Sequence, residues 1–216
     1  MALSNREHLP QTSFVQGVTP DILTQLFCPE FNLINWQRQL SAEIQGYAHQ
    51  VNQLNINFAR TLSPDEVTST LAQALPDGIG KQAFCADVAL LVDMFSCLMD
   101  CDNVGVRLAT LATAMCPRFH TDKVQCRLVT SYTELGTQWL DNACLNRSKL
   151  GWGSQGLSDE ESGLLQQPSD IYTAQPGDVL LLKGEAWHDN PAKGVVHRSP
   201  QLKKGQKRLV ITLDPA

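Results

Sequence analysis

The sequence predicts an α+β fold in which a helical region over residues 1–103 packs on an antiparallel β region over residues 104–216. Three observations predict it. In the first half, apolar residues recur at intervals of three and four, the spacing of one helix face. After Asp102 the texture changes to short runs rich in β-branched and aliphatic residues, punctuated by Gly, Pro, Asn and Asp. No helical pattern separates those runs, which argues for a sandwich or barrel rather than alternating strands and helices. At 216 residues the chain is long enough to bury both regions around a shared core as one structural unit.

In chain order, "NWQRQLSAEIQGYAHQVNQL" sets Trp36, Leu40, Ile44, Tyr47 and Val51 on one helix face. "SPDEVTSTLAQAL" opens with a capping box: Ser63 at the cap, Pro64 in the first turn and Glu66 three residues past the cap. "PDGIG" then breaks the chain before a third helix, from about Lys81 to Cys101, with Phe84, Val88, Leu91, Val92 and Phe95 on its apolar stripe. So apolar a helix is expected to be buried against something larger. The strand candidates are "VGVRLATLATAM", "VQCRLVTSY", "DVLLLKG", "GVVHRS" and "KRLVITLD". The long polar segment "DNACLNRSKLGWGSQGLSDEESGLLQQPSD" reads as a mobile loop over a site.

Composition narrows the function classes. The 43% hydrophobic and 18% charged content is that of a folded globular protein. The longest clean apolar stretch, Val88 to Val92, is closed by Asp87 and Asp93, far short of the roughly 18 residues of a membrane span. "MALSNREHLPQTS" has neither a signal-peptide nor a transit pattern, so the cytoplasm is the expected compartment. Seven cysteines without a C-x-x-C pair fit reduced, small, buried side chains there. The net charge is −5, with four basic and ten acidic residues in the first hundred. The basic cluster "HRSPQLKKGQKR" suits a small anion rather than nucleic acid, because the chain is acidic and carries no nucleic-acid motif.

The chemistry-bearing stretch is "CPRFHTDKVQCRLVTSY", where His120 and Asp122 sit two apart. In an extended segment, residues i and i+2 point to the same face, so an imidazole and a carboxylate there can close on one ion. His197, on the short strand "GVVHRS" after the "PGD" turn, supplies a third ligand, and Arg208 opens the last strand. If His197 faces inward, its neighbour Arg198 faces outward, which makes Arg208 the inward cation.

The order His-x-Asp, PGD and strand, His, then a basic residue resembles the iron(II)/2-oxoglutarate-dependent dioxygenases over about residues 104 to 214. The phrases "PRFHTD", "GTQWL" and "HRSP" also resemble an uncharacterised bacterial family of similar length. The first resemblance implies a double-stranded β-helix, or jelly roll, flanked by N-terminal helices. It implies iron(II) held by His120, Asp122 and His197, with 2-oxoglutarate anchored by Arg208. Two imidazoles and a carboxylate on one face of the metal leave the opposite face open, and a guanidinium grips the far carboxylate with two parallel hydrogen bonds. The family's Arg-x-Ser pair is Arg208-Leu209-Val210 here, so a second cosubstrate contact is either missing or comes from elsewhere, with Thr130 and Tyr132 as the candidates.

Trp139, Arg118 and Arg127 are candidate substrate contacts near the motif, each also readable as packing or salt-bridging residues. His8 and His49 read as surface residues, His188 as a loop histidine, and Cys116 and Cys126 as inert thiols. The leading expectation is an oxygenase hydroxylating a small molecule or a protein, without nucleic-acid or membrane partners. The rivals are a cupin-like zinc hydrolase or isomerase built on the same three ligands, and a non-catalytic jelly roll that binds a metal or small ligand.

Overall fold

Strands enter before any helix does. The computed structural model describes residues 12–188, 190 and 192–216, so His8 lies outside the described residues. In chain order the elements are β1 (Phe14–Gly17), β2 (Leu33–Trp36), α1 (Ala42–Asn52), β3 (Asn57–Leu62), α2 (Pro64–Ala74), α3 (Lys81–Met99), β4 (Val104–Leu111) and β5 (Cys126–Ser131). They continue as β6 (Gln138–Leu140), β7 (Ile171–Thr173), β8 (Val179–Lys183), β9 (His197–Arg198) and β10 (Arg208–Pro215). Seven strands form one sheet in the order β1-β2-β8-β5-β10-β4-β3, and β7-β6-β9 form a second, three-stranded sheet. The fold is mixed α and β, with a large sheet between helices on one face and the small sheet on the other.

The expected helical region thus also contributes three strands. Trp36, expected on the face of the first helix, belongs instead to β2, which pairs with β8 and β1. Leu33, Ile34 and Trp36 are all buried there, and a short run apolar on both faces suits an inner strand better than one side of a helix. The helix begins only at Ala42, where the Ser41 side chain accepts the Ile44 N–H. The capping box at α2 is present: the Glu66 carboxylate accepts the Ser63 N–H at 3.0 Å and its hydroxyl at 2.9 Å.

Strand parity divides the core. On β5, β8 and β10, Leu128, Leu181, Leu209, Ile211 and Leu213 face the helices and pack with Tyr47, Val67, Leu71, Phe84, Val88 and Phe95. The alternate residues Val129, Leu180, Leu182 and Val210 face the small sheet and pack with Trp139 and Val195. α3 has the length and mean hydropathy (1.6) of a membrane span. Its Phe84, Val88, Leu91, Val92 and Phe95 are fully buried in the helical core, which accounts for that apolarity.

The long segment after β6 is more built than its polar composition suggests. Leu164 and Leu165 form an apolar cluster with Phe119, Leu140 and Val196. Asp159, only 3% exposed, ties the segment to the His-x-Asp stretch: its carboxylate accepts the Phe119 N–H at 2.9 Å and Arg118 Nε at 2.7 Å.

Candidate metal centre

Backbone pairing brings the two histidines together. His120 and His197 form an isolated antiparallel bridge, each N–H donating to the other's carbonyl at 3.0 Å. Residues paired this way project their side chains to the same face, and the ring centroids lie 4.6 Å apart. Asp122 follows two residues on. His120 Nε2 lies 3.7 Å from Asp122 Oδ1, and His197 Nε2 lies 3.5 Å from Asp122 Oδ2. One donor atom from each residue falls within 4.8 Å of the others, the only such group of His, Cys, Asp or Glu found among the described residues. These gaps are wide for a strong hydrogen bond and suit an ion with bonds of about 2.0–2.2 Å.

The tautomers suit the same arrangement. Each imidazole has Nδ1 at 3.0 Å from the carbonyl two residues before it, Arg118 O for His120 and Val195 O for His197. A carbonyl only accepts, so Nδ1 carries the proton and Nε2 presents its lone pair to the centre. Burial, then the neighbouring His197, lowers the His120 pKa, which favours the neutral ring a metal needs. Burial alone would raise the Asp122 pKa. Its neighbours, His197 first and then Arg127 and His120, outweigh it and hold the carboxyl at about 2.

Arg127 supports this carboxylate. Its Nη1 donates to Asp122 Oδ2 at 2.7 Å, while Nε and Nη2 grip Asp214 at 2.7 and 2.8 Å. Gly184 permits the close approach of the loop that carries Asp122. Glu185 N donates to the Asp122 carbonyl at 2.8 Å, and a Cβ on Gly184 would overlap the Val124 carbonyl.

His120 and His197 border a cavity of about 90 Å³ that reaches Arg208. Arg208 is 3% exposed, and its one side-chain hydrogen bond runs from Nη2 to Ser199 Oγ at 3.3 Å. Its Nε and Nη1 are buried without partners. Burial lowers its pKa to about 10, so the group is still a cation at neutral pH. Arg198 is engaged elsewhere: Nε donates to Gln138, Nη1 contacts Asp159 and Glu160, and the guanidinium lies over the Phe119 ring.

Of the other expected contacts, all but Arg127 lie apart from the cavity. Tyr132 sits in the helical core and donates to Asp87 at 2.6 Å. Thr130 shares its parity with Leu128 and Tyr132, so both face the helices, opposite Arg127 and Val129. The structure does not bring these two residues to Arg208. Trp139 is buried between the sheets, edge-on to Phe14 and stacked with Tyr172. Arg118 is bound to Asp159 and to the Leu157 carbonyl. Of the three candidate substrate contacts only Arg127 borders the cavity. The sequence reading passed over Arg107, Thr137, Ser199 and Thr212, which line it as well. Parity on β10 was the available signal, since it sets Arg208, Val210, Thr212 and Asp214 on one face.

The comparisons place this architecture. The fold is similar to that of two solved dioxygenases. The dioxygenase for auxin oxidation 1 from Arabidopsis thaliana, solved with 2-oxoglutarate, is similar with a TM-score of 0.52 at 12% identity, over 94% of this chain and 91% of that one. The rice dioxygenase for auxin oxidation is similar with a TM-score of 0.51 at 13% identity, over 89% and 76%. No curated protein matches the chain in sequence. Within this fold, the chain belongs to the family described as protein of unknown function (DUF1826), matched over residues 17–214.

Proposed function

We propose that the chain is an iron(II)- and 2-oxoglutarate-dependent oxygenase, its two sheets forming a double-stranded β-helix with His120, Asp122 and His197 as the metal ligands. The observation that carries this reading is Arg208. A buried guanidinium with two unpartnered nitrogens, in the cavity the histidines line, is costly unless an anion fills it. The donor set fits the metal on its own chemistry: two imidazoles whose Nδ1 atoms lie against carbonyls and one ionised carboxylate on a common face.

With dioxygen as the oxidant, bound iron(II) and 2-oxoglutarate would supply the chemistry that puts one oxygen atom into an unactivated C–H bond and the other into succinate, as 2-oxoglutarate loses carbon dioxide. The chain's own part is positional. His120, Asp122 and His197 would hold the metal, and Arg127 fixes the Asp122 carboxylate. Arg208 would hold the remote carboxylate of the cosubstrate, with Ser199 in place of the serine expected two residues after the arginine. Val129, Leu182 and Val210 give the cavity apolar walls that exclude water. The resemblance and the reduced cysteines support a cytoplasmic enzyme.

Anaerobic titration with iron(II) and 2-oxoglutarate tests the reading through the weak visible charge-transfer band of the chelated cosubstrate. The band and succinate formation in air are expected. Tightly held zinc without the band would favour a zinc hydrolase or isomerase, and no bound metal would favour a ligand-binding role.

A further inference from the structure

Four arginines line the cavity, and their partners sort them. Arg127 is spent on Asp122 and Asp214, and Arg198 on Gln138, Asp159 and Glu160. Arg208 is the buried cation assigned above to the cosubstrate. The Arg107 side chain, on β4, has neither an ion pair nor a hydrogen bond among the described residues. It is exposed, and it stands where the cavity meets a second depression of about 290 Å³ that also includes Ala59, Thr61 and Gly105.

Register locates Arg107 relative to the metal ligands. It pairs with Thr212 on β10, which in turn pairs with Val129 on β5. These three residues form one row across the cavity floor. The adjacent row, about 7 Å along the strands, contains Arg127 with its hold on Asp122. Thr212 Oγ1 is buried without a hydrogen-bond partner. An unpaired cation and an unpaired hydroxyl therefore face the same cavity as cross-strand neighbours, on the metal side of Arg208. Around them are the apolar Ala109, Val129 and Met115.

We propose that Arg107 and Thr212 recognise the carboxylate of the substrate to be oxidised, so that the enzyme acts on small organic acids with an apolar body. This deepens the oxygenase reading and rests on it. One guanidinium and one hydroxyl match a singly charged carboxylate, whereas a phosphate dianion calls for further cations inside the cavity, where Arg127 and Arg198 are already paired; Arg60 lines only the outer depression. The position at the cavity's outer edge lets an acid enter from the neighbouring depression and lay its carbon skeleton along the apolar wall beside the metal.

The test uses the full chain loaded anaerobically with iron(II), with and without 2-oxoglutarate, and calorimetric titration with a panel of alkyl and aryl carboxylic acids and their neutral amides. At least one acid is expected to bind wild type about tenfold or more tightly than its amide, the scale of a hydrogen bond to a charged group. Arg107→Gln should remove that preference while leaving the 2-oxoglutarate titration unchanged. Thr212→Val should weaken the acid by a smaller factor without lowering the melting temperature, because the hydroxyl has no partner to lose. Arg208→Gln should weaken 2-oxoglutarate and keep the acid preference.

The proposal is overturned if no acid outbinds its amide, or if Arg107→Gln keeps the preference. It is also overturned if Arg107→Gln abolishes 2-oxoglutarate binding, which would make Arg107 the cosubstrate anchor. A wild type that never binds 2-oxoglutarate removes the oxygenase reading instead, and the acid preference measured without cosubstrate then decides the Arg107 subsite by itself.

Discussion

Arg208 and Arg127 border one cavity on neighbouring strands, and their partners give them opposite roles. Arg127 is saturated by two carboxylates and holds that of Asp122 in place. Arg208 keeps two nitrogens unspent. Arg208→Ala should therefore leave metal occupancy intact and weaken 2-oxoglutarate by about 1.5–3 kcal/mol, and Arg208→Lys should recover part of this, since an ammonium keeps the charge without the planar fork. Titration of both variants against wild type checks it. Asp122 gives a pH dependence. Its folded pKa of about 2 lies below the ordinary value near 3.8. Its contribution of about 2 kcal/mol is thus present above the ordinary value and lost as pH falls through about 2. Denaturant melts of metal-free wild type and Asp122→Asn should differ at neutral pH and converge in acid. The approach of His120, Asp122 and His197 and the inward turn of Arg208 were legible in the sequence because each rests on strand period two or on spacing. Thr130 and Tyr132 were misplaced because their parity was not counted from Arg127, on the same strand.

At the scale of elements, β2 and the long loop after β6 were the hardest to read, for different reasons. β2 is buried on both faces, so it lacks the alternation that marks a strand, and the apolar spacing of α1 extends by chance to Trp36. The loop's polar composition hides how few of its residues do the anchoring. Asp159 alone accepts from Phe119, Arg118 and Arg198. Asp159→Ala should destabilise this segment by about 1–3 kcal/mol, because the buried Phe119 N–H loses its acceptor and Arg118 and Arg198 each lose one of theirs. In hydrogen exchange, wild type should protect the Phe119 and Asn146 amides, the latter bonded to the Leu164 carbonyl at 2.8 Å. The variant should lose that protection while the strands keep theirs. Equal protection in both would mean that the leucine cluster holds the loop unaided.

For the molecule as a whole, the texture change near residue 103 was real but did not separate helices from sheet. β1, β2 and β3 come from the first half and take both edges of the large sheet. β1 and β3 carry few of the apolar residues that advertise a strand, and β2 shows no alternation, so none of the three stands out in a short stretch of sequence. The helices then cover one face of the sheet completely, which leaves the chemistry to the other face, where the small sheet closes over the cavity.

The bridge between His120 and His197 is only two hydrogen bonds wide, yet it joins segments distant in sequence. Closing so long a loop costs chain entropy before any contact rewards it. The pair should therefore form late in folding and open early in unfolding, like a zip with its last teeth at the active centre. An ion bound by both rings would act as the slider. At a free metal concentration about 100 times Kd it should add about 2.7 kcal/mol of stability, visible as a higher Tm that chelator reverses. Since a bound ion adds contacts across the last seam to close, most of the kinetic effect should fall on unfolding, with the refolding rate little changed. Ordered this way, the polypeptide would finish its sheets before it could commit to a metal, and the metal would then keep them shut.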